Sequence, residues 1–250
     1  MEQFIVTPAM GKRLIGLALA AHPTIQTVLA HGTLVIIAGT TNGYVAEEVL
    51  SKLGQADGFS RQGFRRGLVV PPGCNVPAQA GAFPGDVVLI RGQWQRGKTI
   101  FDVADGLKAG DVILKGANAV DLRRGQAAVL IADPQCGTSA PAIRAVVGRR
   151  VEMIVPVGLE KRVSEDIADL TELANSPAAV GPRLLPLPGK VFTELDAVAL
   201  LTGATARLLS AGGVCGAEGA LWLAVTGTTE QVRAAGTLIR SLAHEPPCQA

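Results

Sequence analysis

The sequence predicts an α/β protein: an open, mostly parallel sheet with helices on both faces, plus a smaller ferredoxin-like α+β domain. Three observations carry this. Short apolar runs without alternation recur at Leu34 to Ala38, Asp111 to Leu114, Ala127 to Ala132 and Glu152 to Val157, as strands covered on both faces require. Polar loops containing glycine follow these runs, and helical periodicity resumes after several of them. Towards the C-terminus the order becomes strand, helix, strand, strand, helix, the skeleton of a ferredoxin-like unit. The expected division is residues 1–180 for the main domain and 181–250 for the smaller one.

Each element has its own justification. Phe4 to Thr7 reads as a short lead-in strand. Leu14, Leu17, Ala18 and Ala21, then Ile25, Val28 and Leu29, repeat at helix spacing, and Pro23 divides them into two helices. Gly32 ends the second helix before the strand from Leu34, and a helix follows from Tyr44 to Leu53. Residues 54 to 85 are rich in Gly, Pro, Gln and Arg and read as connections, with one strand at Leu68 to Val70. Asp86 to Arg91 is a strand, and Ala104 to Lys108 a brief helix before Gly110. Pro141 to Val147 is a helix, with Ser139 as its cap. The C-terminal elements are a helix at Phe192 to Leu201, strands at Ala204 to Leu209 and Ala220 to Val225, and a helix at Thr229 to Leu242.

Composition limits the partners. A near balance of Lys+Arg 23 against Asp+Glu 21, with no basic run interleaved with aromatics, argues against nucleic acid. No apolar run reaches the ~18 residues of a membrane span. The four cysteines, Cys74, Cys136, Cys215 and Cys248, form no Cys-x-x-Cys pair, so no metal is expected and reduced cytoplasmic thiols are. Lys12-Arg13 before Leu14 to Ala21 only faintly mimics a signal peptide, and acidic Glu2 precedes it.

Strand-end loops are where open α/β sheets bind ligands. Gly39-Thr40-Thr41-Asn42-Gly43 lies between strand and helix, where backbone N–H groups and the helix dipole favour an anion. Thr and Asn also cap helices with no ligand present. Gly137, Thr138 and Ser139 stand at a second helix start, and Lys115-Gly116-Ala117-Asn118 leaves the strand at Asp111. Arg91, Gln93, Trp94 and Lys98 could close over a ligand, or Trp94 could be an edge residue.

In order and spacing these pieces resemble the isomerase-like fold shared by ribose-5-phosphate isomerase A, glucosamine-6-phosphate deaminase and the CoA transferases. The likeness covers roughly residues 11 to 55 and 100 to 245. Residues 111 to 121 are similar to the first of these families' Asp-Val-Ala-Ile-Asp-Gly-Ala-Asp-Glu-Val-Asp. Thr41-Asn42 fall on the Ser-Thr of its phosphate loop, and Lys161 falls on the lysine of its Glu-Ser-Lys-x-Val segment. The resemblance implies a phosphate-binding cleft under a small lid. It also implies carboxylates where this chain has Lys115, Asn118 and Ala119; only Asp121 is kept. A lysine of the family falls near Cys136, and its catalytic glutamate near Ala145. Moving a proton between adjacent carbons needs a carboxylate base, so phosphopentose isomerisation is not expected.

The resulting expectation is a protein that binds a phosphorylated or carboxylated small metabolite, without a cofactor, as a homo-oligomer (dimer or tetramer). The binding set is Gly39, Thr40, Thr41, Asn42, Lys115, Gly116, Asn118, Gly137, Thr138, Ser139 and Lys161. One alternative is an enzyme of altered chemistry (transferase, isomerase or lyase) using Lys115, Asp121 or Cys136. A buried lysine of lowered pKa could form a Schiff base, and a thiol near a helix start could be a nucleophile. The other alternative is an oligomeric scaffold with a vestigial cleft.

Overall fold

The computed structural model describes residues 1–66, 69–70, 72–73 and 85–247. Strand β1 (Glu2–Val6) leads into helix α1 (Pro8–Ala21), which the Thr7 hydroxyl caps. Pro23 does break the helical pattern. Helix α2 (Pro23–His31) starts afresh there, with His22 Nδ1 accepting the Thr24 N–H at 3.2 Å. Then come β2 (Thr33–Ile36), α3 (Thr40–Lys52), β3 (Val87–Ile90), β4 (Gln93–Trp94) and the short α4 (Ile100–Val103). The middle of the chain holds β5 (Val112–Leu114), β6 (Ala119–Asp121), β7 (Gln126–Ile131), α5 (Ser139–Arg149) and β8 (Glu152–Pro156). The remainder is α6 (Ile167–Asn175), β9 (Arg183–Pro186), β10 (Lys190–Phe192), α7 (Glu194–Thr202), β11 (Thr205–Ala211), β12 (Leu221–Thr226) and α8 (Thr229–Ser241).

Six strands form the central sheet in the order β10-β8-β5-β2-β3-β4. The first four run parallel, while β3 and β4 are antiparallel additions at one edge. The apolar runs lack alternation because both faces are covered. Leu34 and Ile36 of β2 pack with α1 and α3, whereas Val35 and Ile37 pack with α4 and α5 on the other side. Among the described residues there are also two antiparallel three-stranded sheets, β6-β7-β9 and β1-β12-β11.

Strand pairing runs across the expected boundary at residues 180/181. β9 pairs with β7 and β10 with β8, so a segment assigned to the smaller domain finishes sheets of the larger one. Conversely β1, the first strand of the chain, pairs with β12. Strands of three to five residues carry too little pattern to announce a distant partner. The sequence reading also placed nothing at α6, where within the helix only Ile167 is buried. Of the strand expected at Leu68 to Val70, Leu68 lies outside the described residues, as do Cys74 and Cys248, and Val69 and Val70 are not in a strand.

No single helix among the described residues is long and apolar enough to cross a membrane. The apolar α1–α2 pair is bent by 54° and supplies core residues, among them Leu14, Ile15, Leu19 and Ile25. Helix α1 lies against α3 at unusually close range. A Cβ on Gly16 would sit 3.0 Å from the Tyr44 carbonyl oxygen, which is backbone and has no room to give. Gly16→Val should therefore force the two helices apart and cost about 3 kcal/mol of stability, at the upper end for overpacking. Urea unfolding checks this; an unchanged midpoint would mean the pair is loosely held.

Candidate functional site

The chain leaves β2 and β5 in opposite directions. From β2 it passes through α3 on one face towards β3; from β5 it passes through the β6–β7 hairpin to α5 on the other face and then to β8. The carboxyl ends of β2 and β5 therefore border the topological switch point, where open sheets leave a crevice. Asn42 spans it. Its buried amide donates to the Ile37 carbonyl at 2.7 Å and the Leu114 carbonyl at 3.0 Å, clamping the two strand ends together.

The amide oxygen of Asn42 and the hydroxyl of Thr41, both buried, have no hydrogen-bond partner among the described residues. Gly39, at the N-cap of α3, has no side chain with which to cap the helix. The first backbone N–H groups of α3 therefore have no side-chain cap and no intrahelical partner. Leaving such groups orphaned in the interior is costly.

Lys115 follows β5 directly and is buried. Its ammonium donates to Thr138 Oγ1 at 3.0 Å, and among the described residues it forms no ion pair. Burial pushes its pKa down to about 8; the Asp86 carboxylate pulls upward, and the Arg66 guanidinium pushes further down. Asp86 is fully occupied elsewhere. It accepts the Ala38 N–H at 2.9 Å, the Ile100 N–H at 2.8 Å and Arg66 at 2.8 Å. Arg66 thus has a buried partner. Thr138 precedes α5 but makes no side-chain cap bond; its hydroxyl serves Lys115 instead. Beside it a cleft of about 340 Å³, lined by Phe101, Gln135, Gly137, Arg144 and the acidic Asp133, opens to solvent.

Lys161 lies in the turn after β8 and donates to the Ala117 carbonyl at 2.8 Å, so it holds the loop that leaves β5 and begins with Lys115. Lys161 also belongs to a buried charge cluster that the sequence did not announce. Lys12 of α1 donates to Glu160 at 2.8 Å, and Glu194, at the first position of α7, accepts the Leu159 N–H at 3.0 Å. One oxygen each of Glu160 and Glu194 lacks a hydrogen-bond partner among the described residues. Burial and the neighbouring Glu160 push Glu194 up to about 7. Burial works against Glu160 too, but Lys12 and Lys161 hold it below the usual carboxylate range. Desolvation lowers Lys161 despite Glu160 beside it. No protein-family model, curated protein or solved structure matches this chain.

The structure thus brings together, around one rim, Gly39, Thr40, Thr41, Asn42, Lys115, Gly116, Thr138, Ser139 and, across the loop, Lys161. Other residues named from sequence have local duties. Asn118 accepts the Leu130 N–H and donates its own N–H to Ala128, fixing the entry to the β6–β7 hairpin. Asp121 forms no ion pair with Lys115 among the described residues; its Oδ1 accepts the N–H groups of Arg123 and Arg124, closing the hairpin turn, and its buried Oδ2 has no partner among those residues. Cys136 is half-buried with a left-handed backbone (φ 62), and its N–H and carbonyl shape the turn between Asp133 and Ser139. Trp94 pairs with Leu89, whose β2 neighbour is Leu34, so it sits near the amino-terminal end of the sheet, away from Lys115. His22 is a cap and His31 an exposed helix end.

Asp86, Lys12, Glu160 and Glu194 were missed as site residues. Lys12 carried a signal: it sits three residues before Ile15 and seven before Leu19, on the apolar face of α1. Glu194 carried none, because an acidic residue after Thr193 reads as an ordinary first-turn helix acid. No group of three metal-ligating side chains occurs among the described residues.

Proposed function

We propose that the chain binds a phosphorylated or carboxylated small molecule at the crevice between β2 and β5. The observation that carries this reading is the buried, unpartnered hydroxyl of Thr41 at a helix start without a side-chain cap, next to Asn42, whose amide is bonded to the strand end that precedes Lys115. An anion there satisfies the free N–H groups of α3 and the Thr41 hydroxyl, and neutralises a buried ammonium. The resemblance to ribose-5-phosphate isomerase A and its relatives supports the same reading and carries with it the finer description of the fold: an isomerase-like sheet with a ferredoxin-like lid. Phosphopentose isomerisation is not part of it, because Lys115, Asn118 and Ala119 stand at the carboxylate positions.

The reading includes a cytoplasmic setting and a homo-oligomer. Ile5 and Trp222, paired across β1 and β12 and roughly half exposed, give a second copy an apolar surface. Thermal shift with inorganic phosphate, triose and pentose phosphates and small carboxylates is the test. A site of this kind gives about 3 kcal/mol of stabilisation at a hundredfold excess over Kd. Thr41→Val, which removes a buried hydroxyl and nothing else of size, should leave the fold as stable as before and weaken the anion about tenfold. No shift with any anion would leave the scaffold reading.

A further inference from the structure

We infer that Lys115 is a carbonyl-capturing amine, and that the ligand at this crevice is a small phosphorylated aldehyde or ketone held there as a reversible imine. The inference rests on the anion seat proposed above and adds the second functional group of its ligand.

Lysines placed only to hold an anion by charge have no reason to be dry. Lys115 is 6 % exposed, yet among the described residues its ammonium forms no ion pair and its hydrogen bond is to the neutral Thr138 hydroxyl. Asp86, the nearest acidic influence, is already bonded to Arg66 and two backbone N–H groups. Such an environment raises the share of neutral amine, the nucleophilic form, far above that of a lysine in water. Exposed Lys52, Lys98, Lys108 and Lys190 have no such environment. The remaining pieces stand at complementary positions: phosphate-accepting groups at the start of α3 on one side of the crevice, and the amine just past β5 on the other, with the open cleft at Gly137 beside Thr138.

The step balances without another reactant. The Lys115 nitrogen lone pair attacks the carbonyl carbon, opening the C=O bond to a carbinolamine. The amine gives up two protons, the carbonyl oxygen leaves with them as water, and a C=N bond remains. Thr138, hydrogen-bonded to the nitrogen, is placed to relay a proton during addition and dehydration.

The experiment is reductive trapping of the whole protein at pH 7 with glycolaldehyde phosphate or dihydroxyacetone phosphate and sodium cyanoborohydride, read by intact mass and peptide mapping. One adduct is expected, at Lys115, forming at least about tenfold faster than at any exposed lysine, as a lowered pKa allows. Inorganic phosphate should suppress it, and Thr41→Val should slow it. Adducts spread over the exposed lysines, or absent, would overturn the inference. If inorganic phosphate still stabilises the protein in that case, only the imine is lost; if no anion stabilises it, the anion seat falls as well.

Discussion

Lys115→Met should make the protein more stable while abolishing its response to phosphate compounds. The folded state holds this lysine's pKa at about 8, against 10.5 for a free side chain. A lysine depressed on folding is a cost, not a contribution: below pH 8 the folded chain must bury an ammonium that the unfolded chain keeps in water. At pH 7 that cost is about 3 kcal/mol, from the size of the shift. Methionine fills similar volume without charge, but leaves the Thr138 hydroxyl without its donor, which returns about 1 kcal/mol. The net gain of about 2 kcal/mol should raise Tm by about 5 °C for a chain of this length. Calorimetry on both proteins checks the sign. The wild-type deficit should also shrink as pH rises from 8 towards 10.5, where the unfolded state begins to lose the same proton. A less stable Lys115→Met protein would mean that the amine is a structural tie, and the site at this crevice would lose its central group. Gaining stability while losing binding is the mark of a group kept for function.

The layered core was legible because it obeys short-range rules. Uniform apolar runs at Leu34 and Glu152 mark strands buried on both faces, and Pro23 breaks a helix wherever it falls. The rim was legible for a related reason: a polar loop between strand and helix stands at a sheet's carboxyl edge by geometry, so the sequence alone assigns the Thr41 and Lys115 loops to the same edge. What stayed hidden depends on distant partners. Nothing around Lys190 says that it will lie beside Ile154, and nothing in Glu2–Val6 says that it pairs with Leu221–Val225. The backbone duties of Asp121 and Asn118 were hidden for a similar reason. A polar residue in a loop can serve a ligand or the backbone, and the choice is made by whichever N–H groups the fold leaves nearby. For Asp121 these are Arg123 and Arg124; for Asn118 the group is Leu130, across the hairpin.

Glu194 shows how such long-range placement becomes a property of the whole molecule. Its side chain lies in the interior against Gly11 of α1, where a Cβ would stand 2.5 Å from Oε1, so glycine is needed for the carboxyl to fit. Burial and the Glu160 charge raise its pKa from 4.5 to about 7. A carboxyl raised on folding favours the protonated form in the native state. Between pH 4.5 and 7 the folded chain therefore holds a proton that the unfolded chain has released, and stability falls as pH rises through this window. The loss attributable to Glu194 should reach about 3 kcal/mol by pH 8. Glu194→Gln, a neutral side chain of the same shape whose oxygen can still accept the Leu159 N–H, should match wild type near pH 5 and exceed it by about 2 to 3 kcal/mol at pH 8. Subtracting the two urea-unfolding series removes the contribution of every other titrating group. Parallel series from pH 5 to 8 would mean that Glu194 is ionised throughout and paired with Lys12 or Lys161. Series that separate as pH rises instead make the junction of α1, the turn after β8 and the start of α7 a proton-sensitive joint, with Lys161 linking it directly to the loop that carries Lys115.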